Sequence, residues 1–392
     1  MHLMLTRRQL LLAGAAIPIA TAAPKYDLIV RGGRVIDLSQ KIDRVADVAV
    51  LGGKIAAIRP KIVAGAGTQV IDARGKLVTP GLIDIHTHLS DPKLPPGTLA
   101  ADGVTAAVDG GSTGADNVDQ LVKIAQGAPN HVRILINISR GGVSGNELVD
   151  ISKADAAAAR AAIERNREWV IGIKARLSRS AAGENDVEAL RRARAAADPL
   201  KVPIMVHVGN TASPLPVLLA LLRPGDIVTH MYAPAPHGML DDNGRVLPEV
   251  REARRRGVLF DFGSGRTEHW TWDVAERALA QDFTPDTISS DSTFDGRTNQ
   301  VFNFPNVLSN FLTLGMPVEQ VIARATGNAA RVFPELRSYG TLRVGAAADL
   351  AVLELREGDF EFVDNYKTKR PGRRKLFAAA VLLGGKQVPA GR

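Results

Sequence analysis

Residues 78–89 have the sequence Val-Thr-Pro-Gly-Leu-Ile-Asp-Ile-His-Thr-His-Leu, and this stretch says most about the fold and chemistry of the chain. The apolar residues around Asp84 predict a buried strand. Side chains two positions apart on a strand share a face, so His86 and His88 can both point at one ion. Histidine nitrogens are common ligands of Zn²⁺ and related metals. A His-x-His pair also occurs at polar strand ends, so the metal interpretation depends on further ligands downstream.

The composition sets the first limits on fold and chemistry. The chain has 392 residues, of which 45% are hydrophobic, enough for one large core and a smaller second one. It contains no cysteine. Disulfides, thiolate metal ligands and a cysteine nucleophile are therefore excluded.

The formal net charge is +8, and basic residues cluster at 251–256 and 367–375. Few aromatic residues interleave with these clusters, and they match no nucleic-acid recognition motif. We therefore predict solvated surfaces and no nucleic-acid partner. The positive field would still favour an anionic small-molecule substrate.

Residues 1–22 are typical of a twin-arginine export signal. Thr6-Arg-Arg-Gln-Leu-Leu11 precedes an apolar run over residues 12–20, and Ala20-Thr-Ala22 fits a cleavage site. An ordinary secretory signal or a membrane anchor are the alternatives, but the apolar run is short for a bilayer span. We expect a periplasmic or secreted protein with no stable membrane anchor.

The rest of the chain predicts an α/β fold in two parts. Short strand patterns occupy residues 26–79 and return at 341–392, and we predict that both segments form one small β-sandwich domain. Residues 80–340 alternate apolar strands with Ala- and Leu-rich helices, which predicts a (β/α)8 TIM-like barrel. The eight candidate strands are Leu82–Thr87, Thr105–Asp109, Val132–Ile138, Val170–Ala175, Pro203–Val208, Asp226–His230, Val258–Phe262 and Thr287–Asp291.

Polar side chains lie at the carboxyl ends of several of these strands, where barrel enzymes place their catalytic groups. The set is His86, His88, Lys174, His207, His230 and Asp291. Each alone has an ordinary interpretation, as a salt-bridged lysine, a hydrogen-bonded histidine or a capping aspartate. All six at one end of a barrel favour a metal centre.

The chain resembles the amidohydrolase superfamily over nearly its whole length after residue 22. The resemblance rests on the split β-domain and on three motifs: Pro80-Gly-Leu-Ile-Asp-Ile-His-Thr-His88, Ala325-Thr-Gly-Asn-Ala-Ala-Arg331 and Gly340-Thr-Leu-Arg-Val-Gly-Ala-Ala-Ala-Asp-Leu350. It implies a metal-dependent hydrolase with a centre of two divalent ions, expected to be Zn²⁺.

The ligand roles follow from the resemblance. The ligands would be His86, His88 and Asp291 for the more buried ion and His207 and His230 for the more exposed ion. Lys174 would bridge the ions after carboxylation by CO₂ to N6-carboxylysine, which also removes the cost of a buried ammonium. A water activated between the ions would attack the substrate carbonyl, with Asp291 as general base and acid.

Within the superfamily the chain is similar to the dihydroorotase-like deacetylase branch, through residues 172–178 and 302–312. That branch implies a deacylase acting on N-acyl amino acids or acetylated α-hydroxy acids. The dihydroorotase pattern has an arginine shortly after His-x-His, whereas this chain has Leu89 and Ser90. A cyclic amide hydrolase is the alternative, and a catalytically inactive scaffold is a further one, which the complete ligand set argues against.

Four residues near the strand ends are candidates for substrate binding: Arg176, Arg179, Tyr232 and Arg297. The arginines could hold a carboxylate through paired hydrogen bonds, and the tyrosine could donate to a developing oxyanion. Surface arginines and a packed tyrosine are the ordinary alternatives. His237 and His269 lie in loops on the same face, and we predict loop roles for them because the ligand set is complete without them. The sequence leaves a homo-oligomer open.

Overall fold

The computed structural model describes residues 26–299 and 301–389, so the predicted export signal, residues 1–22, lies outside the described residues. The described strands are β1 Leu28–Asp37, β2 Ile42–Leu51, β3 Lys54–Arg59, β4 Gln69–Asp72, β5 Leu77–Pro80, β6 Leu82–Thr87, β7 Val104–Gly110, β8 His131–Asn137, β9 Val170–Arg176, β10 Ile204–His207, β11 Ile227–Thr229, β12 Leu259–Phe260, β13 Leu350–Val363, β14 Lys369–Leu383 and β15 Lys386–Val388.

The described α-helices are α1 Pro96–Ala101, α2 Val118–Gln126, α3 Ala156–Arg165, α4 Arg179–Ala182, α5 Asp186–Leu200, α6 Leu215–Leu219, α7 Pro248–Arg255, α8 Trp272–Leu279, α9 Phe294–Asn299, α10 Phe304–Thr313, α11 Val318–Arg324 and α12 Gly327–Val332. Within the part of the chain that the structure covers, none of them is long and apolar enough to span a bilayer.

The strands form two separate sheets. Strands β6 to β12 lie side by side in chain order, each parallel to the next. The other sheet has the order β15-β14-β13-β5-β1-β2-β3, with β4 beside β1, so it combines strands from both parts of the chain. The predicted fold class, a TIM-like barrel with a small β-domain, is confirmed.

The parallel sheet closes through residues 287–292, a segment that includes the predicted eighth strand, Thr287–Asp291. Here they make two isolated parallel bridges, Thr287 with Asp261 and Ser292 with Thr87. Asp291 has a φ of +51°, outside the extended region, which interrupts regular pairing. Its backbone N–H nevertheless donates to the carbonyl of His86 at 2.7 Å. The first strand and the last strand segment of the barrel are therefore hydrogen-bonded to each other at two predicted metal ligands.

Alternation along the strands separates the barrel interior from the helix-covered face. On β10, Met205 and His207 share one face and Val206 lies on the other. All three are buried, and the register places Lys174 of β9 beside Met205. The barrel interior is therefore apolar along the strands and polar at their carboxyl ends, which is where the predicted ligands lie.

The longest hairpin of the small domain reaches the barrel. Strands β13 and β14 pair from Leu350 with Leu382 to Val363 with Lys369. The residues between them, 364–368, are called the hairpin tip. It contacts the start of α8: the backbone N–H of Trp272 donates to Asp364, and the Trp272 indole N–H donates to the carbonyl of Thr368 at 2.9 Å.

Candidate metal centre

The six predicted ligands meet at the carboxyl ends of the barrel strands. Asp291 lies at the centre of one group, with Oδ1 3.0 Å from His88 Nε2 and 3.4 Å from His86 Nε2. The other carboxylate oxygen lies 4.0 Å from His230 Nε2. The ring of His207 is edge-on to that of His230, with centroids 4.3 Å apart. Residues from five different strand ends therefore face one volume.

Two of these residues have unusual backbone conformations. His230 has a φ of +62° and Asp291 a φ of +51°. Non-glycine residues held in sparsely populated backbone regions cost about 1–3 kcal/mol each and persist only where the surroundings enforce them. The strain lies at the two strand ends where a side chain has to turn into the barrel mouth, which is typical of a functional site.

Hydrogen bonds set the proton position on His86. Thr229 Oγ1 donates its proton to Asp261 Oδ2 at 2.7 Å, so it can only accept from His86 Nδ1, at 3.0 Å. Burial raises the pKa of Asp261 to about 6, and it is still ionised at neutral pH, which suits its role as acceptor. His86 Nε2 is therefore left unprotonated, the form in which imidazole binds metals, and its lone pair faces Lys174 Nζ.

The same arrangement is repeated at His88. Ser112 Oγ donates to Asp109 Oδ2 at 2.7 Å and lies 2.8 Å from His88 Nδ1, from which it accepts. His230 Nδ1 donates instead to the carbonyl of Gly263 at 2.7 Å. In all three imidazoles the outer nitrogen carries the proton, and the inner nitrogen faces the strand ends with its lone pair.

Thr229 provides a test of these outer hydrogen bonds. Thr229→Val removes the hydroxyl between His86 and Asp261 while keeping the side-chain shape, so we expect the metal affinity to fall about 10–100-fold. Titration of the apoprotein with Zn²⁺ against a competing chelator measures this. Thr105→Val is the matched control, because the buried Thr105 hydroxyl has no hydrogen-bond partner among the described residues. Equal affinities for both variants would contradict the role given to Thr229.

Burial keeps the imidazoles neutral. It lowers the pKa of His86, His207 and His230 well below the ordinary value. It also lowers the pKa of Lys174 to about 8. Lys174 Nζ lies 2.5 Å from His86 Nε2 and, within the described ranges, forms no ion pair with a carboxylate. A neutral amine is the form that reacts with CO₂, and it would gain an anionic oxygen donor in doing so.

The donor set fits divalent metal ions. Two groups have donor atoms within 4.8 Å of one another: His86, His88 and Asp291, and His207, His230 and His269. The buried Nε2 of His230 has no hydrogen-bond partner in the described structure. Buried polar atoms without partners are costly, and imidazole with carboxylate donors suits Zn²⁺ and its neighbours.

Members of both groups, His88, Asp291, His207 and His269, line a cavity of about 460 Å³ at the barrel mouth. Lys174, His207 and Asp291 form part of its floor, and Arg176 and Arg266 form part of its wall. Arg176 is thus placed as predicted, although its Nη1 also pairs with Glu147 Oε1 at 2.8 Å. The volume is in the range of small-molecule sites.

The other three predicted substrate binders lie away from this cavity. Tyr232 is fully buried, and its hydroxyl donates to the carbonyl of Phe283 at 3.1 Å, so it packs and cannot reach an oxyanion. Arg179 is half-exposed at the start of α4 and pairs with Glu184. Arg297 pairs with the buried Asp102. None of the three lines the cavity, so the structure gives no support to their predicted substrate roles, which stay predictions.

Arg297 is therefore expected to act on stability. Arg297→Ala would leave Asp102 buried without its partner, which costs about 3–5 kcal/mol of unfolding free energy. Urea denaturation measures this loss, and KM should be unchanged because Arg297 does not line the cavity. Arg277→Ala, which breaks an exposed helix pair with Asp273, should cost only about 0.3–0.5 kcal/mol. A raised KM with unchanged stability in Arg297→Ala would support the predicted substrate role instead.

Arg266 and His269 are two of the cavity-lining residues that were not predicted as site residues. Arg266 lines the wall, and its Nη1 lies 2.9 Å from Asp295 Oδ2. His269 was predicted to be an ordinary loop residue, but its Nδ1 lies 3.2 Å from Asp291 Oδ2. Both follow β12, the seventh barrel strand. Their position after a strand end was the signal that could have identified them.

The fold and this donor set define the class of the protein, a TIM-barrel hydrolase whose strand ends carry residues that could hold divalent metal. The chain belongs to the Amidohydrolase family, whose model matches residues 77–380. The predicted superfamily and the class, a hydrolase acting on C–N bonds, are confirmed.

Known proteins are similar to this chain over more than nine-tenths of its length. A deacetylase of Enterococcus faecalis is 30% identical over 369 residues, which cover 92% of this chain and 98% of the relative. A crystal structure of an adenine deaminase has a TM-score of 0.85 and 29% identity, covering 93% of this chain and all of that one. A crystal structure of a dihydroorotase has a TM-score of 0.85 and 27% identity, covering 93% of this chain and 98% of that one.

Proposed function

We propose that the protein is a metal-dependent deacylase that cleaves the acyl amide or ester bond of a small acylated acid. N-acyl amino acids and acetylated α-hydroxy acids are the substrate classes. The observation that carries the proposal is that members of two donor groups and the buried Lys174 line one cavity, which Arg176 and Arg266 also line. The similarity to a deacetylase along almost its full length supports it.

The proposed centre holds two divalent ions, with Zn²⁺ expected. The proposed ligands are His86, His88 and Asp291 for one ion, His207 and His230 for the other, and carboxylated Lys174 between them. Such ions, when bound, lower the pKa of water and polarise a carbonyl oxygen. The neutral imidazoles and the lowered pKa of Lys174 support this assignment.

The residues of the chain would contribute orientation and proton transfer. Asp291 lies in contact with His86 and His88 at the cavity floor, where it can accept a proton from the attacking water and return it to the leaving nitrogen or oxygen. Arg176 and Arg266 in the wall can bind the substrate carboxylate. Binding the acid group at the wall would hold the acyl carbonyl above the floor.

A cyclic amide hydrolase is the second candidate, because the dihydroorotase structure superposes as well as the adenine deaminase structure does. Ser90, where the dihydroorotase pattern has arginine, lines the cavity. A serine offers no charge to hold a ring carboxylate, which favours the deacylase. An inactive scaffold would have no use for neutral, pre-oriented imidazoles.

A substrate panel tests the proposal. Zinc-loaded protein prepared with bicarbonate would be assayed on N-acetyl-D- and L-amino acids, acetylated α-hydroxy acids, hydantoin and dihydroorotate. We expect acetate release from the N-acetyl amino acids or the acetylated α-hydroxy acids. This activity should be lost when the metal is chelated and restored when zinc is added. Ring opening alone would establish the second candidate, and no turnover at full metal occupancy would overturn the deacylase.

We also propose that the protein is exported. The proposal rests on residues 1–22, and above all on Arg7 and Arg8. Replacing both arginines by lysine should retain the precursor in the cytoplasm, whereas the unaltered chain should reach the periplasm or medium with residues 1–22 removed. Immunoblots of cell fractions, with the mature mass from intact-protein mass spectrometry, measure this. Equal export of both forms would contradict the twin-arginine route.

A further inference from the structure

His269 lies inside the donor cluster although it comes from a loop. Its ring stacks on that of His230, with centroids 3.9 Å apart and planes 23° from parallel. It is edge-on to His207, with centroids 5.0 Å apart. The three rings each offer one nitrogen within 4.8 Å of the others. His269 therefore faces the same volume as the two histidines proposed for the more exposed ion.

The inward-facing nitrogen of His269 has Asp291 as an ionisable neighbour but makes no hydrogen bond. Its Nδ1 is buried and makes no hydrogen bond to any residue that the structure describes. Asp291 Oδ2 lies 3.2 Å away, outside hydrogen-bonding geometry. His230 Nε2, on the ring stacked against it, is also without a partner. Two adjacent buried nitrogens without hydrogen bonds leave lone pairs that one cation would satisfy.

A single side chain of the small domain holds the loop of His269. Asn365, in the hairpin tip, accepts at Oδ1 from the backbone N–H groups of His269 at 2.9 Å and Trp270 at 3.2 Å. Its Nδ2 donates to the carbonyl of Gly265 at 3.2 Å. Asn365 is itself buried. One amide therefore bonds both ends of the loop segment that presents His269.

The start of the same segment is shaped to admit the ring. Gly265 has a φ of +58°, and a Cβ built on it would lie 1.7 Å from His269 Nδ1. Only glycine both adopts this conformation freely and leaves the space that the imidazole occupies. The position of the ring is thus enforced by its own loop and by the other domain.

We propose that His269 is a third histidine ligand of the ion held by His207 and His230, and that Asn365 is the positioning residue that presents it. The inference rests on the proposed two-ion centre and adds a donor to it. The ligand is a divalent ion of the zinc type, bound by the Nδ1 lone pair of His269. Two imidazoles, the bridging group and a third imidazole would give this ion a more complete protein shell.

Cobalt binding tests the ligand role without depending on turnover. Apoprotein would be titrated with Co²⁺ against a competing chelator, and the visible absorption of the bound ions recorded. We expect two ions in the unaltered protein. In His269→Ala and His269→Gln the first ion should bind as before, and the second should bind on the order of 10–100-fold more weakly, with an altered visible band. Circular dichroism checks that each variant folds. If His269→Ala does not fold, the cobalt affinity of His269→Gln alone tests the ligand role.

His237→Ala is the matched histidine control. His237 lies in another loop on the same face, and its Nδ1 is 2.9 Å from the carbonyl of Thr211, outside the cluster. Its removal should leave both cobalt ions in place. If both His269 variants bind two ions with unaltered affinity and spectrum, even with lost hydrolysis, the ring serves Asp291 alone and the inference is overturned.

The Asn365 variants separate positioning from general stability. Asn365→Ala should weaken the second cobalt ion, whereas Asn365→Asp keeps the acceptor for the His269 and Trp270 N–H groups and should recover much of the binding. Tyr366→Ala, half-exposed in the same tip, is the control. Wild-type affinity in Asn365→Ala would overturn its role. Fewer than two ions in the unaltered protein would overturn the proposed centre itself, a result distinct from every variant effect.

Discussion

Replacement of Lys174 by alanine is expected to abolish metal-dependent hydrolysis. The substitution removes the only buried amine among the described residues that lies between the two donor groups, and with it the proposed bridging ligand. Loss of correct metal binding removes several kcal/mol of transition-state stabilisation, which corresponds to about 10³–10⁴-fold in kcat. Steady-state assays, with the metal content of each sample measured, would show the loss of kcat and of bound metal.

The control for this substitution is Lys123→Ala, an exposed lysine on α2 that should leave kcat and metal content unchanged. Removing bicarbonate and CO₂ during metal loading should imitate Lys174→Ala in the unaltered protein, because carboxylation needs CO₂. A Lys174→Ala enzyme with more than a tenth of the original kcat would contradict the bridging role.

The second large effect is expected from Asp291→Asn. The amide keeps the size of the side chain but cannot take up a proton from water, and general acid–base transfer contributes about 10²–10⁴-fold. We therefore expect kcat to fall by that factor while the protein stays folded. The backbone conformation favours the substitution, because asparagine tolerates a φ such as the +51° of Asp291.

Asp282→Asn is the matched control for Asp291. Asp282 also has a positive φ, of +58°, but is exposed beyond α8. Metal content must be measured in both variants, because Asp291 is also a proposed ligand. A decrease in kcat at full metal occupancy supports proton transfer. Unchanged kcat at full occupancy would contradict it.

The sequence predicts the barrel, and the position of the six proposed donors at its strand ends, because both depend on local rules. Alternation of apolar residues marks strands such as β9 and β10, and the parallel barrel brings all carboxyl ends to one face. Once Lys174 and His207 lie at strand ends, their convergence follows from the topology. No long-range pairing has to be guessed for these residues.

Two of the predicted substrate binders that do not line the cavity bond to partners far along the chain. Arg297 is near Asp291 in sequence, but its partner Asp102 is 195 residues away. Tyr232 directly follows a ligand strand, yet its hydroxyl bonds to Phe283. A loop position shows which face a side chain is near, but the direction of the side chain is set by such contacts, which the sequence pattern does not contain.

His269 is a residue that does lie at the site but that the sequence pattern did not assign to it. Its loop was identified on the correct face, and a complete six-ligand set made a further donor unnecessary. What brings it into the cluster is Asn365, from a strand pair that belongs to the other sheet. The residue could be recognised only after the hairpin tip was seen to reach the barrel.

The hairpin tip also imposes an order on synthesis. Gly265 and Asn365, which one hydrogen bond joins, are 100 residues apart. Every barrel strand is synthesised before the tip, so the loop bearing His269 is hydrogen-bonded in place only after Asn365 has been synthesised. A nascent chain stalled before residue 364 would carry the barrel's histidines with that loop unsecured. The small domain thus makes synthesis of the hairpin tip a condition for the finished barrel mouth.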